Sequence, residues 1–317
     1  MKISLITPAK KLSRAGNRTT AVRWAHIFQE LGHQVRVAVD YDQQSADVMV
    51  ALHAWRSAKS LEAFRHRYPD HPLILALTGT DIYRFLASDP ETTLRSMDMA
   101  DILVCLHDQV HQAIPQRFGD KLERIYQSAL PLSRPRSPSR RHFDICVIGH
   151  LRDEKDPLRT ALAARDLPAS SRIGVIHLGK AHDEEWAERA REEMTRNPRY
   201  LWRGEVPGWA VRKEFVKTRL MVLSSIMEGG ANVVSEAVVA GVPVIASDIP
   251  GSVGLLGEDY PGYYPLRDTA ALTALLWQAE TDPGFLMQLT QHCADRAPLF
   301  SPERERESWR NLLSRFA

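Results

Sequence analysis

Short runs of aliphatic and β-branched residues punctuate the first third of the chain at Ile3–Thr7, Val35–Val39, Val48–Leu52, Leu73–Leu77 and Ile102–Leu106. Each run is nearly continuous in apolar residues rather than alternating, as expected of a strand covered on both faces. The stretches between them, such as Thr20–Leu31 and Ser57–Tyr68, are long enough for crossover helices, so the pattern predicts a parallel sheet with helices on both sides. Ser133–Arg141 (SRPRSPSRR) is proline-rich and basic, continues neither period and reads as a linker. The alternation then restarts at Ile145–Ile148, Ile173–Leu178, Leu220–Leu223 and Val244–Ala246. From Ser301 a Ser-Pro-Glu start and a stripe of Trp309, Leu312, Leu313 and Phe316 predict a last helix. Periodicity leaves open whether that helix closes the second array or crosses back to the first.

Two successive βα arrays predict an α/β protein with two doubly wound, Rossmann-like parallel-sheet domains facing across a cleft. The expected boundaries are 1–132, a linker at 133–142, 143–300, and a C-terminal helix at 301–317 returning to the N-terminal domain. A length of 317 residues suits two domains, and 44% hydrophobic with 25% charged residues is ordinary for a folded protein. Disorder is thereby excluded. A net charge of +2 gives no bulk electrostatic reason to expect nucleic acid or a membrane surface. Cys105, Cys146 and Cys293 are odd in number and far apart, with no zinc spacing, and two of them sit in apolar runs. This composition predicts a cytoplasmic protein without stable membrane association and without a bound metal.

In doubly wound sheets ligands sit beyond the carboxyl ends of the strands, so residues directly after each strand become candidates. The most informative stretch is Met227–Ser247, MEGGANVVSEAVVAGVPVIAS. Gly229, Gly230, Ala231 and Asn232 leave backbone N–H groups uncovered before a helix starting near Val233, a place that suits phosphate oxygens. Glu236 in the first turns offers a carboxylate to ribose hydroxyls, and Glu228 lies on the loop before it. In the other half, residues 1–29 hold Lys2, Lys10, Lys11, Arg14, Arg18 and Arg23 but no acid. A cationic loop around Gly16, Asn17 and Arg18, ending at a helix that begins near Thr20, suits a small anion. After Leu73–Leu77, Thr78-Gly79-Thr80-Asp81 offers Asp81 as a general base or, equally, as a helix cap. His53 is similarly placed after Val48–Leu52.

Glu228-x7-Glu236 with small residues between, followed by AGVPVIAS, resembles the donor site of retaining-type glycosyltransferases of the GT-B fold, similar to family 4. The resemblance implies a UDP-sugar as co-substrate, with no further cofactor. It implies that Glu236 holds the ribose, that the Gly230–Asn232 amides meet the diphosphate or sugar, and that Glu228 touches sugar hydroxyls near the reacting carbon. Val206, in Gly204-Glu205-Val206-Pro207, looks like the residue meeting the base. Gly149-His150-Leu151-Arg152-Asp153-Glu154-Lys155 is similar to the family's Gly-Arg-Leu and following Lys. Lys155 then neutralises the leaving diphosphate, His150 replaces the expected arginine, and Arg152 is a substitute cation. GNRTTAVRWA (16–25), LTGTDIY (77–83), GHLRDEKDP (149–157), MEGGANVVSEA (227–237) and IPGSVGLLGEDYPGYYP (249–265) together resemble the selenosugar synthases of selenoneine biosynthesis over essentially the whole chain. That likeness implies transfer of a sugar from UDP-N-acetylglucosamine or UDP-glucose to selenophosphate, forming a carbon–selenium bond. Gly16, Asn17, Arg18, His53, Thr78, Gly79 and Thr80 would then bind the acceptor, with Glu228, Lys155 and Asp81 serving catalysis.

Two readings of other classes compete. Asp40 stands where a dinucleotide-binding fold puts its ribose acid, but the first turn has only Gly16 in place of G-x-G-x-x-G. Asp40-Tyr41-Asp42 matches a metal-binding Asp-x-Asp, against which its position after a second strand argues. A glycosyltransferase with a sugar or lipid hydroxyl acceptor is the nearer alternative.

Overall fold

The computed structural model describes residues 1–11 and 16–316. Twelve strands and twelve α-helices alternate along them. The first sheet takes β1 (Lys2–Ile6), β2 (Gln34–Ala38), β3 (Val48–Leu52), β4 (Leu73–Ala76), β5 (Ile102–Cys105) and β6 (Leu122–Arg124). The second takes β7 (Phe143–Ile148), β8 (Ile173–Leu178), β9 (Tyr200–Trp202), β10 (Leu220–Leu223), β11 (Val244–Ser247) and β12 (Tyr263–Tyr264). Their orders are β2-β1-β3-β4-β5-β6 and β12-β11-β10-β7-β8-β9, with every strand pairing parallel. Around the first sheet run α1 (Gly16–Glu30), α2 (Ala58–Arg67), α3 (Leu86–Ser88) and α4 (Pro90–Met99). Around the second run α5 (Arg159–Arg165), α6 (Glu184–Arg196), α7 (Gly208–Lys217), α8 (Asn232–Val239), α9 (Pro250–Leu256), α10 (Thr269–Thr281) and α11 (Pro283–Arg296); α12 (Pro302–Leu313) follows. No helix among the described residues is long and apolar enough to cross a membrane.

The chain packs as two compact units. One comprises Met1–Ser128, Glu228–Asn232 and the segment from Pro302; the other comprises Ala129–Met227 and Val233–Ser301. The first sheet is covered on both faces, which is why its strands read as unbroken apolar runs. One face packs Trp24, Phe28 and Trp309 against Leu5, Val50 and Leu52, and the other packs Phe64, Met97 and Phe118 against Met49 and Leu75. Within this unit α12 lies on α1: Trp309 meets Trp24 and Phe28 edge-on, with ring centroids 4.7 and 4.8 Å apart. The buried Glu305 carboxylate accepts from Trp24 Nε1 (2.8 Å), Arg23 Nε (3.2 Å) and the Ser128 N–H (2.9 Å), so the helix is fixed by polar as well as apolar contacts.

Two expectations need correction. Helix α1 begins at Gly16 and not near Thr20, so Gly16, Asn17 and Arg18 are helical and not loop residues. Nothing in Gly16–Thr19 breaks a helix, and burial of Thr20, Ala21 and Trp24 on one face makes the added turn part of an amphipathic element. Strands β6, β9 and β12 have only two or three residues, some of them polar, and carry no periodic signal. The proline-rich segment is anchored within the second unit. The Ser137 N–H donates to Val216 O (2.7 Å), Arg136 Nη2 donates to Thr218 O (2.6 Å), and Arg219 Nη2 donates to Ser139 O (2.6 Å).

Candidate active site

Each sheet reverses its winding at one place, between β1 and β3 in the first and between β7 and β10 in the second. Crossovers leave such a point in opposite directions, which opens a crevice at the strands' carboxyl ends. In the second unit β7 runs into Gly149 and β10 into Ser224. Ser224 Oγ donates to the carbonyls of Lys155 (3.1 Å) and Asp156 (2.9 Å), and the Ile226 N–H donates to Glu154 O (2.9 Å). The exit of β10 therefore holds the turn that carries Lys155. Asp156 takes the left-handed conformation, with φ of 41°, to end that turn.

Close packing fixes the Gly149 segment. A Cβ on Gly179 would lie 1.8 Å from Gly149 O, so only glycine allows the loop after β8 to pass there. His177, fully buried, accepts from Tyr200 Oη at Nδ1 and donates from Nε2 to Gly149 O (3.0 Å). Burial pushes its imidazole down to about 4, so it is neutral at pH 7. His150 follows. The Lys180 N–H donates to its Nδ1 (3.1 Å), which places the ring proton on Nε2. Burial, and then the Arg152, Lys155 and Lys180 cations, lower its pKa, while Glu205 opposes them. The position where the family's arginine is expected thus holds a neutral N–H donor within the field of three cations. The Lys155 stem runs past Gly149, where a Cβ would stand 3.9 Å from its Cδ. Gly149, His150, Arg152 and Lys155 are brought together, with Glu205 near His150 and the half-buried Val206 beside it in sequence.

In the first unit, backbones meet where two loops cross. A Cβ on Gly229 would stand 2.2 Å from Gly79 N and from Thr78 C, and one on Gly230 would stand 2.4 Å from Leu106 Cβ. Gly79 (φ 117°) and Gly230 (φ 147°) also adopt conformations open to glycine. Glu228 is buried at this crossing and favours the charged form of His107, opposing the burial that takes that ring down to about 4. Ala231 is buried, while Asn232, Val233 and Glu236 are partly exposed, and the helix begins at Asn232, one residue before the expected start.

Asp81 does not have the geometry of a general base. Its carboxylate, wholly buried, accepts from four backbone N–H groups: Gly79 (2.7 Å), Thr78 (3.0 Å), Ala54 (3.1 Å) and Ile82 (3.2 Å). Lone pairs so engaged leave no site for a substrate proton, and the residue is the anchor that shapes the Thr78–Ile82 turn. His53 is likewise committed. The Arg56 N–H donates to its Nδ1 (3.2 Å), so Nε2 carries the proton and donates to Thr80 Oγ1 (2.9 Å). Burial lowers its pKa, and its backbone is held at φ 77°, a strained conformation for a side-chain-bearing residue.

Sequence reasoning missed His107, which follows β5 just as His53 follows β3; the same rule of residues beyond strand ends would have found it. The Gln109 N–H donates to His107 Nδ1 (3.2 Å), so its Nε2 donates to Tyr83 Oη (3.1 Å). It also missed the engagement of Arg23, whose Nη1 donates to Asn232 Oδ1 (2.9 Å). Gly16, Asn17 and Arg18 form the first turn of α1, with the Asn17 carbonyl accepting from Thr7 Oγ1 (3.2 Å). Arg14 lies outside the described residues.

Two doubly wound parallel-sheet domains, the second with the cationic Gly149–Lys155 turn at its β7/β10 reversal, define the GT-B class of folds. Residues 133–297, over half of the chain, match the model of the glycosyl transferases group 1 family. The chain belongs to that family. Anabaena HepE, solved in complex with UDP-glucose, superposes with a TM-score of 0.80 at 14% identity, covering 99% of this chain and 100% of that one. Sucrose-phosphate synthase from Thermosynechococcus elongatus gives a TM-score of 0.77 at 14% identity, covering 99% and 98%. The pneumococcal O-GlcNAc transferase GtfA, in complex with UDP and GlcNAc, gives 0.67 at 16% identity, covering 93% of this chain and 60% of that one. A comparison with curated proteins returns no match.

Proposed function

We propose that this glycosyltransferase moves the sugar of a UDP-sugar, UDP-glucose or UDP-N-acetylglucosamine, onto selenophosphate. The observation that carries the donor half is the family match over 133–297, which takes in His150, Lys155, Val206 and Glu236. In this reading Glu236 takes the ribose, Val206 meets the base, and the Gly229–Val233 backbone with Gly149 approaches the diphosphate and sugar. Lys155 and Arg152 stabilise charge on the departing diphosphate, and Glu228 holds sugar hydroxyls near the anomeric carbon. The fold's appearance in complexes with UDP and UDP-glucose supports UDP as the nucleotide.

The acceptor half rests on the engaged bases. Asp81, His53 and His107 have their basic lone pairs taken by backbone N–H groups. An alcohol needs deprotonation as it attacks, whereas an anionic selenium is already a strong nucleophile, so orientation is the main demand. Selenium forms the bond to the anomeric carbon, the carbon–oxygen bond to the diphosphate breaks, and UDP leaves with the electron pair. Gly16, Asn17, Arg18, Thr78, Gly79 and Thr80 would contact the acceptor. The test incubates the enzyme with selenophosphate and a panel of UDP-sugars, measuring released UDP and product mass. Selenophosphate-dependent release with a selenosugar mass is the expected result. Release driven equally by simple alcohols, with no selenium in the product, would refute the acceptor.

A further inference from the structure

His53 and His107, just beyond β3 and β5 in the first unit, act alike on two hydroxyls of one turn. Each ring accepts a backbone N–H at Nδ1, from Arg56 (3.2 Å) and from Gln109 (3.2 Å). Burial lowers both pKa values, so both rings are neutral at pH 7 and carry their proton on Nε2. Through it His53 donates to Thr80 Oγ1 (2.9 Å) and His107 donates to Tyr83 Oη (3.1 Å). A hydroxyl that accepts in this way has its own proton left to donate, and neither makes another hydrogen bond among the described residues. Burial, and then Asp81 and Cys105, raise the pKa of Tyr83, so the phenol keeps that proton. On the same turn Thr78 Oγ1 is buried and has no hydrogen-bond partner among the described residues. The turn's carboxylate, Asp81, is filled by backbone N–H groups. Thr78–Tyr83 therefore offers hydroxyl donors and no basic side chain. It runs from the carboxyl end of β4, where such sheets take ligands, into a π-helical segment at Asp81–Phe85, a widened turn frequent at functional sites.

We propose that Tyr83 and Thr80 form a donor pair, set by His107 and His53, that binds the phosphoryl oxygens of the acceptor and selects an oxyanion over an alcohol. The proposal rests on the reading given under Proposed function and adds Tyr83 to it as a specificity-determining residue. A phosphoryl oxygen only accepts, and so matches hydroxyls that can only donate. An alcohol brings a proton of its own and finds no base on this turn to take it.

Initial rates of UDP release, with selenophosphate and the UDP-sugar varied in turn and inorganic phosphate as inhibitor, are measured for the full chain and for Tyr83→Phe and Thr80→Val. Each variant should raise the KM for selenophosphate and the Ki of inorganic phosphate together, by about 10-fold, the effect of one hydrogen bond to a charged group. The KM for the UDP-sugar should not change, which shows that the variants are folded and separates acceptor binding from a structural loss. Unchanged selenophosphate and phosphate constants in Tyr83→Phe, or a rise confined to the UDP-sugar, overturn the proposal and leave the proposed function standing. Should Tyr83→Phe not fold, Thr80→Val carries the same decision. A wild type whose UDP release ignores selenophosphate refutes the proposed function. Calorimetric titration of inorganic phosphate into the same proteins then decides the donor pair: weaker binding by the variants upholds it, and equal or absent binding overturns it.

Discussion

At the residue scale the chemistry of this chain is set by which lone pairs the backbone has already taken. Asp81 looks like a base in sequence because it follows a strand and precedes a helix, but its carboxylate closes a turn by accepting four N–H groups. Asp81→Asn turns one acceptor into a donor facing those groups and should cost about 3 kcal/mol, read as a lower urea midpoint with an unchanged m-value. An unaffected midpoint together with lost turnover would instead return Asp81 to catalysis. His53, His107 and His150 each receive a backbone N–H at Nδ1, so all three present Nε2–H as donors. Periodicity does not reveal a tautomer, because it depends on how a turn aims its own N–H groups, as at His53 and His107, or on a backbone group from a remote segment, as at His150.

Among the elements, α12 is the clearest case of one held by a buried charge. Its Glu305 gathers donors from Trp24, Arg23 and Ser128 while Trp309 fills the space beside Trp24 and Phe28. Glu305→Ala strands a partly buried guanidinium and a buried indole N–H and should lower unfolding free energy by about 2–4 kcal/mol. Chemical denaturation would check this, and a loss under 1 kcal/mol would show that the apolar stripe alone holds the helix. The stripe was visible in sequence as Trp309, Leu312 and Leu313, but the residue that secures it was not. Glu305 reads as one more charge in PERERES until its partners appear. The short strands β6, β9 and β12 were invisible for a related reason: they exist because a neighbouring strand supplies hydrogen bonds, not because their own residues alternate.

For the molecule as a whole, buried neutral histidines tie stability to pH. His177 titrates near 4 in the folded chain against an ordinary 6.5, and His107 behaves alike. Their folded-state pKa values are depressed, so the unfolded chain binds the extra proton first. Stability is therefore lost as pH falls below about 6.5 and the loss levels off near 4. By pH 5 each ring should account for a loss on the order of 2 kcal/mol. Urea unfolding at pH 7.5 and pH 5 should show a larger drop for wild type than for His177→Gln, and equal drops would mean that His177 is protonated in the folded state.

What the amino-acid order determined by itself was the architecture: unbroken apolar runs demand strands covered on two faces, and helices between them demand parallel pairing. It also marked the turns whose small residues were to matter, at Gly149 and at Gly229–Ala231. Tertiary structure alone decided which of the singled-out side chains are free to act. Asp81 and His53 are engaged by N–H groups of their own turns, with the Ala54 N–H reaching Asp81 from the end of β3, Arg23 is drawn to Asn232 and Glu305 far along the chain, and the first turn of α1 is helix rather than loop. The physical reason is that periodicity reports what a residue must hide, whereas chemistry depends on which hydrogen bonds remain unmade, and those are settled only when each turn takes its backbone conformation and remote parts of the chain pack around it.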